Sequence, residues 1–115
     1  MTEVRRLTVN ELSQLQGFET VAMPDGEREI KGVYIGDLLS WVMGRATEND
    51  AWITIMSNSN IIAVATLADV SCIILAEGVT PDAGVTESAM ARGVNLLSSK
   101  ESAYEIAKRL SGLGL

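Results

Sequence analysis

Apolar and polar positions along the first 37 residues predict several short elements. Thr8 and Glu11 have the spacing of a capping box, so a short helix is expected to begin there and to end at Gly17. Alternation of apolar and polar side chains predicts strands over residues 18–23 and 29–37. This part of the chain is therefore expected to contribute one helix and two strands.

A second short helix is predicted after these strands. Asp37 is expected to be its N-cap, because a carboxylate oxygen accepts hydrogen bonds from the free N–H groups of a first helical turn. Leu38, Trp41 and Val42 follow at the i, i+3, i+4 spacing of one helix face. Gly44 is expected to end this helix.

Three short apolar runs stand out in the second half, at residues 51–56, 70–76 and 94–97. They are nearly continuous, which is typical of strands covered on both faces in a parallel sheet. Helical patterns follow each run, so strand and helix alternate three times from residue 51 onward. With right-handed crossovers, this order predicts an α/β fold with a mostly parallel central sheet, as a single domain over residues 1–115.

Two of these helices carry start signals. Thr80 before Pro81 predicts a cap followed by proline at the first helical position, and Gly93 is expected to end that helix. The stretch Ser-Ser-Lys-Glu at 98–101 has the capping-box pattern, which predicts the start of the last helix.

The segment 60–69 can be read as a strand, but its length and its alanines favour a helix. Apolar residues fall on nearly all sides of that helix, including those that do not face the sheet. A domain of this size has little else to cover the second side, so the pattern predicts a homodimer with this helix at the contact. The residues expected in that interface are Ile61, Ile62, Ala63 and Leu67.

Four uncharged polar residues, 57–60, interrupt the apolar stretch around them. They read either as a loop with a helix N-cap, which is the simpler interpretation, or as part of a ligand site. The second interpretation rests on topology, because ligands of α/β sheets bind beyond the carboxyl ends of the strands, where helix N-termini offer free N–H groups. Loops after three strands would meet there and hold a phosphate or a carboxylate. The candidate ligand-binding residues are Ser57, Asn58, Ser59, Asn60, Glu77, Gly78, Ser98, Ser99 and Lys100.

Composition disfavours several classes of function. The 115 residues carry a net charge of −6, which argues against a nucleic-acid partner. The sequence has no histidine, the usual general base and zinc ligand, and its single cysteine, Cys72, lies in an apolar run where an inert core thiol is expected. No metal, cofactor or catalytic residue is predicted. An enzyme using Lys100 with nearby serines and acids is the least favoured interpretation.

The cellular location is expected to be cytoplasmic. A single cysteine fits a reducing compartment, since it cannot form a disulfide within the chain. No basic and apolar leader pattern is recognisable, and no apolar run has the length needed to span a bilayer. Neither a membrane nor a nucleic acid is therefore expected as a partner.

Three stretches resemble the DRTGG domain family: GVYIGDLLSWVM (32–43), WITIMSNSNIIAVATLADVSCIILAEGVTPD (52–82) and ARGVNLLSSKESAYEIAKRL (91–110). The likeness runs from about residue 30 to residue 111 and is closest to the short free-standing members. It implies a three-layer α/β fold similar to the N-terminal domains of HPr kinase/phosphorylase and of the Mur ligases. It also implies a regulatory, dimer-forming module that has no established catalytic activity.

The chain departs from the motif that names this family. Residues 57–60 stand where the Asp-Arg pair is expected, and Ala76-Glu77-Gly78 stands where Thr-Gly-Gly is expected, so that Gly78 alone carries over. Loss of the arginine removes the most obvious anion ligand of that loop.

Two functions follow as hypotheses. The first is a non-catalytic regulatory or adaptor domain that forms a homodimer and senses a small nucleotide- or phosphate-like ligand at the carboxyl edge of the sheet. The alternative is an accessory protein of an iron-only hydrogenase or another redox complex, with no ligand site. The resemblance suggests this alternative, because some short members are encoded near such components.

Overall fold

The computed structural model of the protein describes residues 7–115. Strands and helices follow one another along this part of the chain, with the central strands and the helices between them in regular alternation. They are β1 (Leu7–Thr8), α1 (Val9–Ser13), β2 (Glu19–Ala22), β3 (Glu29–Ile30), β4 (Gly32–Ile35), α2 (Leu39–Arg45), β5 (Asp50–Thr54), α3 (Asn60–Ala68), β6 (Cys72–Leu75), α4 (Val85–Arg92), β7 (Leu96–Ser98) and α5 (Ala103–Gly112).

The central sheet has five strands in the order β2-β7-β6-β5-β4. Strands β4, β5, β6 and β7 are parallel, and β2 is antiparallel to β7 at one edge. A separate two-stranded ribbon pairs β1 with β3. The predicted strand 29–37 is therefore two strands, because β3 pairs with β1 whereas β4 pairs with β5.

Helices cover both faces of the sheet and make the molecule three-layered. On one face α2, α3 and α4 pack on side chains that include Trp52 and Ile73. On the other face α1 and α5 pack on the next residues along the same strands, Ile53 and Ile74. Successive strand residues point to opposite faces, so apolar runs are needed where both faces are covered. The predicted α/β fold with a mostly parallel sheet is confirmed.

The first helix begins at the predicted capping box. The Thr8 hydroxyl accepts a hydrogen bond from the Glu11 N–H at 3.1 Å, and the Glu11 carboxylate accepts one from the Thr8 N–H at 3.0 Å. The helix ends at Ser13, four residues before the predicted Gly17, which has a φ of +95° in the turn that follows.

The segment 60–69 is helical, as predicted, but its second side does not need a partner chain. Helix α3 lies between α2 and α4, and Ile61 and Ile62 are fully buried within the single chain. The expectation that Ile61 and Ile62 are buried by contact with a second copy of the chain is therefore wrong. Ala63 is partly buried, and Leu67 is 72% exposed.

Three predicted helix starts are also wrong. Asp37 does not cap α2, because the N-cap of that helix is Leu38. The Asp37 carboxylate instead accepts hydrogen bonds from the end of β5. Helix α4 begins after Gly84 rather than at Pro81, because the preceding loop bonds to other loops. Helix α5 has Ser102 as its N-cap, since Ser98 is still paired in the sheet.

Helix lengths bear on membrane insertion. Across residues 7–115, none of the helices is long and apolar enough to cross a membrane.

Candidate functional site

The loops that follow the parallel strands emerge at one edge of the sheet, its carboxyl edge. This is a consequence of parallel pairing, which aligns the ends of β4, β5, β6 and β7. Loop 76–84 follows β6 and loop 99–102 follows β7. Because β2 is antiparallel to β7, residues at the start of β2 also lie at this edge.

A cavity of about 500 Å³ opens between these loops and the start of β2. Its size is within the range of small-molecule sites. Four of the predicted ligand-binding residues line it, namely Gly78, Ser98, Ser99 and Lys100, and Glu77 adjoins Gly78 in the same loop. The prediction did not include the other lining residues, which are Gly17, Phe18, Glu19, Val79, Thr80 and Glu101.

Backbone hydrogen bonds hold the two loops of the cavity together. The Glu77 N–H donates to the Glu101 carbonyl and the Gly78 N–H to the Ser99 carbonyl, both at 2.9 Å. The Ser99 N–H donates to the Leu75 carbonyl at 2.8 Å, which extends the β6–β7 pairing into the loops. Glu77 and Gly78 both have positive φ, a conformation that glycine adopts at no steric cost. These bonds therefore hold the backbones of the two loops next to each other.

The cationic groups at this cavity differ in their partners. Lys100 is exposed and forms no ion pair with the described residues. Arg109, from α5, forms an ion pair with Glu101, in which Nη1 lies 2.5 Å from Oε2. The Arg109 guanidinium also lies over the Phe18 ring, 4.8 Å from its centre. Among residues 7–115, Lys100 is thus a cation at the cavity that is free of ion pairs, and Arg109 is engaged by the lining residue Glu101.

Gly17 suits this arrangement through its small size and, above all, its backbone conformation. A Cβ atom at this position would collide with Glu101 Oε2 and with Arg109 Nη1. Its φ of +95° is also a conformation that other residues rarely adopt. Sequence reasoning took Gly17 for a helix end, because a glycine signals a turn locally but not what packs against it.

The polar residues 57–60 do not line this cavity. The Ser57 hydroxyl donates to Asp82 Oδ1 at 2.9 Å, and the Asp82 N–H donates to the Ser57 carbonyl at 3.0 Å. Asn58 Oδ1 accepts from the Asn60 N–H at 2.9 Å, which fixes the turn before α3, and the Ser59 side chain forms no capping bond. In this structure these four residues tie the start of α3 to the loop before α4.

A second hollow, of about 520 Å³, lies between α1 and the end of α5. Its lining is Leu7, Glu11, Gln14, Leu15 and Leu113, so no cation lines it among the described residues. The described part of this lining is mostly apolar, with Glu11 as its charged residue.

Cys72 is unsuited to nucleophilic chemistry. Its side chain is fully buried in β6, and burial raises the pKa of the thiol to about 12, although the charge of Arg28 acts in the opposite direction. A protonated, inaccessible thiol is a poor nucleophile. Within residues 7–115 there is also no group of three or more acidic or cysteine side chains placed to hold a metal ion.

A set of half-exposed apolar side chains lies in and around the ends of β4 and β5 and the start of α2. It consists of Ile35, Leu38, Trp41 and Ile55, each about half exposed. Hydrogen bonds from the Gly36 N–H to the Ile53 carbonyl and from the Ile55 N–H to Asp37 hold residues 35–38 beside the end of β5. The Arg45 guanidinium stacks on Trp41, 3.7 Å from the ring centre. We refer to these four residues as the β4 edge patch.

The DRTGG domain family matches residues 13–113. The chain belongs to this family. Comparison with curated protein sequences gives no match. The match confirms the resemblance inferred from the three quoted stretches, although the motif residues themselves differ.

One solved structure shares the fold of this DRTGG domain. It is the crystal structure of the CBS and DRTGG domains of the regulatory region of Clostridium perfringens pyrophosphatase, complexed with its activator diadenosine tetraphosphate. The TM-score is 0.64 at 20% sequence identity, over 81% of this chain. The present chain spans 40% of that structure's length.

Proposed function

We propose that this DRTGG domain is a non-catalytic regulatory module that binds a small nucleotide- or phosphate-like anion at the carboxyl edge of its sheet and forms a homodimer. The observation that carries the proposal is the cavity between the loops after β6 and β7, with Lys100 on its rim. The match to the family supports a regulatory role, as does the regulatory region of a pyrophosphatase with the same fold.

The cavity has the mixed lining of a small-ligand site. Phe18 and Val79 supply apolar surface on which a flat or aliphatic group can pack. Ser98 lines the cavity, and its hydroxyl forms no hydrogen bond with the described residues. Lys100 supplies a positive charge at the same place, which an anion needs in a chain of net charge −6.

A homodimer would use the outer surface of the α2–α3–α4 layer. Exposed apolar side chains on these helices include Met43 on α2, Leu67 on α3 and Met90 on α4; a second one on α2, Trp41, belongs to the β4 edge patch. Helix α3 has no charged residue along its whole length, so a partner that covers it desolvates no charge of that helix. Ala63 and Leu67 remain as the α3 residues proposed for the interface.

Ligand binding is tested by a thermal-shift titration with ATP, pyrophosphate and acetyl phosphate. At least one of these anions is expected to raise the melting temperature of the native protein, because a ligand that binds only the folded state stabilises it. Lys100→Met is expected to abolish most of the shift, whereas Lys108→Met, which removes the same charge outside the cavity, is expected to leave it unchanged. The absence of any shift with all three anions would contradict the ligand proposal.

A second candidate function is that of an accessory protein without a ligand site, for example in a hydrogenase or another redox complex. The β4 edge patch favours it, because its four half-exposed apolar side chains lie beside a sheet edge that no described strand covers, and such an edge suits a protein contact. Capture of one stoichiometric enzyme from native lysate, lost in Trp41→Asp and independent of anions, would favour this candidate over the sensor.

A further inference from the structure

We propose that Arg109 is the second cation of the anion site and that the Glu101 carboxylate is an internal competitor which the ligand displaces from it. This inference rests on the proposed anion site and names the residues that regulate access to it. Glu101 lines the cavity, and its carboxylate pairs with the guanidinium of Arg109, which is not itself among the lining residues. A ligand phosphate entering beside Lys100 would exchange places with the carboxylate.

The ion pair is exposed enough to be exchanged. The side chains of Arg109 and Glu101 are 32% and 29% exposed. Pairs with this access to water contribute little net stability, since solvation and screening offset most of the Coulomb attraction. An incoming group of higher charge can therefore replace the carboxylate without a large loss of folding free energy.

Arg109 is already positioned to receive a phosphate. Its guanidinium is held over the Phe18 ring, and Phe18 is itself a lining residue of the cavity. Only Nη1 donates a hydrogen bond to the described residues, and its acceptor is Glu101 Oε2. The remaining N–H donors of the planar guanidinium suit bidentate contact with phosphate oxygens.

The Glu101 side chain can leave without disturbing the loop. Its backbone N–H donates to the Ser99 hydroxyl at 3.1 Å, and its carbonyl accepts from the Glu77 N–H at 2.9 Å. These bonds hold the backbone while the side chain rotates toward solvent. The exchange is therefore a side-chain movement at the rim of the cavity and needs no rearrangement of the sheet.

This arrangement predicts selectivity for multiply charged anions. A ligand must compete with a tethered carboxylate for Arg109, so a monoanion such as acetate gains nothing from the exchange. A phosphate group with two negative charges gains more from Arg109 than the carboxylate does, and Lys100 adds to the difference. Pyrophosphate offers only its charged phosphate groups, whereas ATP adds a base and a ribose that can pack on Phe18 and Val79.

Titration calorimetry with pyrophosphate tests the exchange. Glu101→Gln removes the competing charge and is expected to raise the affinity at least tenfold over the native protein. Glu105→Gln, an equal charge change on the exposed side of α5, is expected to change it less than twofold. Arg109→Met is expected to lower the affinity of the native protein and to abolish the gain in the Glu101→Gln, Arg109→Met double variant. Parallel titrations with ATP show whether a nucleoside strengthens the same response.

Two results would overturn the proposal in different ways. If native protein binds pyrophosphate through Lys100 and Glu101→Gln binds it no better, the ion pair is only structural and the ligand site stands without it. If neither native protein nor Glu101→Gln binds pyrophosphate or ATP, the anion site itself is wrong. Binding that appears only in Glu101→Gln supports the exchange, because the carboxylate then accounts for the weak native affinity.

Discussion

At the amino edge of the sheet, the buried residue Asn95 forms hydrogen bonds through both its side-chain oxygen and its side-chain nitrogen. Its Oδ1 accepts from the Asp25 N–H at 3.0 Å, and its Nδ2 donates to the carbonyls of Asp25 and Ser71 at 2.8 and 2.9 Å. The side chain thus joins the turn after β2 to the residue before β6. A buried amide that is fully bonded stabilises the fold, whereas its removal leaves partners unsatisfied.

Replacing Asn95 by alanine is expected to lower the free energy of unfolding by about 1 to 3 kcal/mol, because the Asp25 N–H and the Ser71 carbonyl lose this partner, while the Asp25 carbonyl keeps the Arg28 N–H. Urea denaturation measures the change. Asn10→Ala, at an exposed position of α1, is the matched control and is expected to cost less than about 0.5 kcal/mol. Equal effects of the two variants would mean that the buried bonds contribute nothing specific.

The buried thiol of Cys72 makes stability depend on alkaline pH. Burial raises its pKa from 9.0 to about 12, against a smaller opposing effect of Arg28. Above pH 9 the unfolded chain loses this proton while the folded chain keeps it. The thiol therefore contributes its full stability below pH 9, and that contribution is lost as the pH rises toward 12.

Between about pH 10 and about pH 11, where this thiol is ionised in the unfolded chain and protonated in the folded one, the free energy of unfolding is expected to fall by about 1.4 kcal/mol per pH unit on its account. Urea denaturation at several pH values measures the slope for native protein and for Cys72→Ala. Other alkaline groups titrate in both proteins, so the difference between the slopes isolates the thiol. If the free energy of unfolding falls with pH at the same rate in native protein and in Cys72→Ala, the prediction is wrong.

Among the elements, α3 shows how a helix with apolar residues on nearly all sides is covered inside one chain. Its neighbours α2 and α4 lie on either side of it, and the sheet lies beneath. Ile62 contacts this surrounding layer, while Leu67 points away from it and stays exposed. The helix is thus buried on three sides, and only its fourth side is available to a partner.

Ile62→Ala is expected to lower the free energy of unfolding by about 2 to 5 kcal/mol, the range found when a large core side chain is truncated. Leu67→Ala on the same helix is expected to cost less than about 0.5 kcal/mol at protein concentrations low enough to keep the chain monomeric. Urea denaturation under those conditions compares the two. A small effect of Ile62→Ala would mean that this residue is not part of the core.

The starts of α4 and α5 illustrate a limit of capping signals. The residue types of a helix start are present at Thr80-Pro81 and at 98–101. The helices nevertheless begin later, at Val85 and at Ala103. The loops before them are used in long-range bonds, such as those from the Glu77 and Asp82 N–H groups to Glu101 and Ser57. A cap is chosen by the competition between local and tertiary partners, and the sequence shows only the local ones.

For the molecule as a whole, the two edges of the sheet differ in character. The amino edge is held by polar contacts, including Asn95, the Arg28–Asp69 ion pair and the Thr47 bonds to the buried Asp50 carboxylate. The carboxyl edge carries the cavity and a cation without a partner among the described residues. Such a division lets one end of a domain provide rigidity and the other provide a site.

The proposed dimer makes a prediction at this scale. Leu67→Glu places a charge at the centre of the proposed interface and is expected to give a monomer by light scattering, while the ligand-induced thermal shift is retained. Trp41→Glu places the same charge on the β4 edge patch, outside that interface, and is expected to leave the dimer intact. A dimer that survives Leu67→Glu and is lost in Trp41→Glu would place the interface at the sheet edge instead.

The sequence by itself determined the fold class, the helix at 60–69 and the capping box of α1, because each depends on periodicity or on residues within one helical turn. Only the tertiary structure decided that Ile62 is covered within the chain, since burial depends on α2 and α4, which are distant in sequence.

The candidate site divides in the same way. Four of the candidate residues lie at the ends of β6 and β7, two strands that the sequence predicts, so topology alone was enough to bring them to one edge. They are Gly78, Ser98, Ser99 and Lys100. Gly17 and Phe18 reach the cavity through the antiparallel pairing of β2 with β7, and Arg109 reaches Glu101 across the turn into α5. No local pattern encodes these contacts, because the free energy that fixes them comes from side chains that meet only after the sheet has formed.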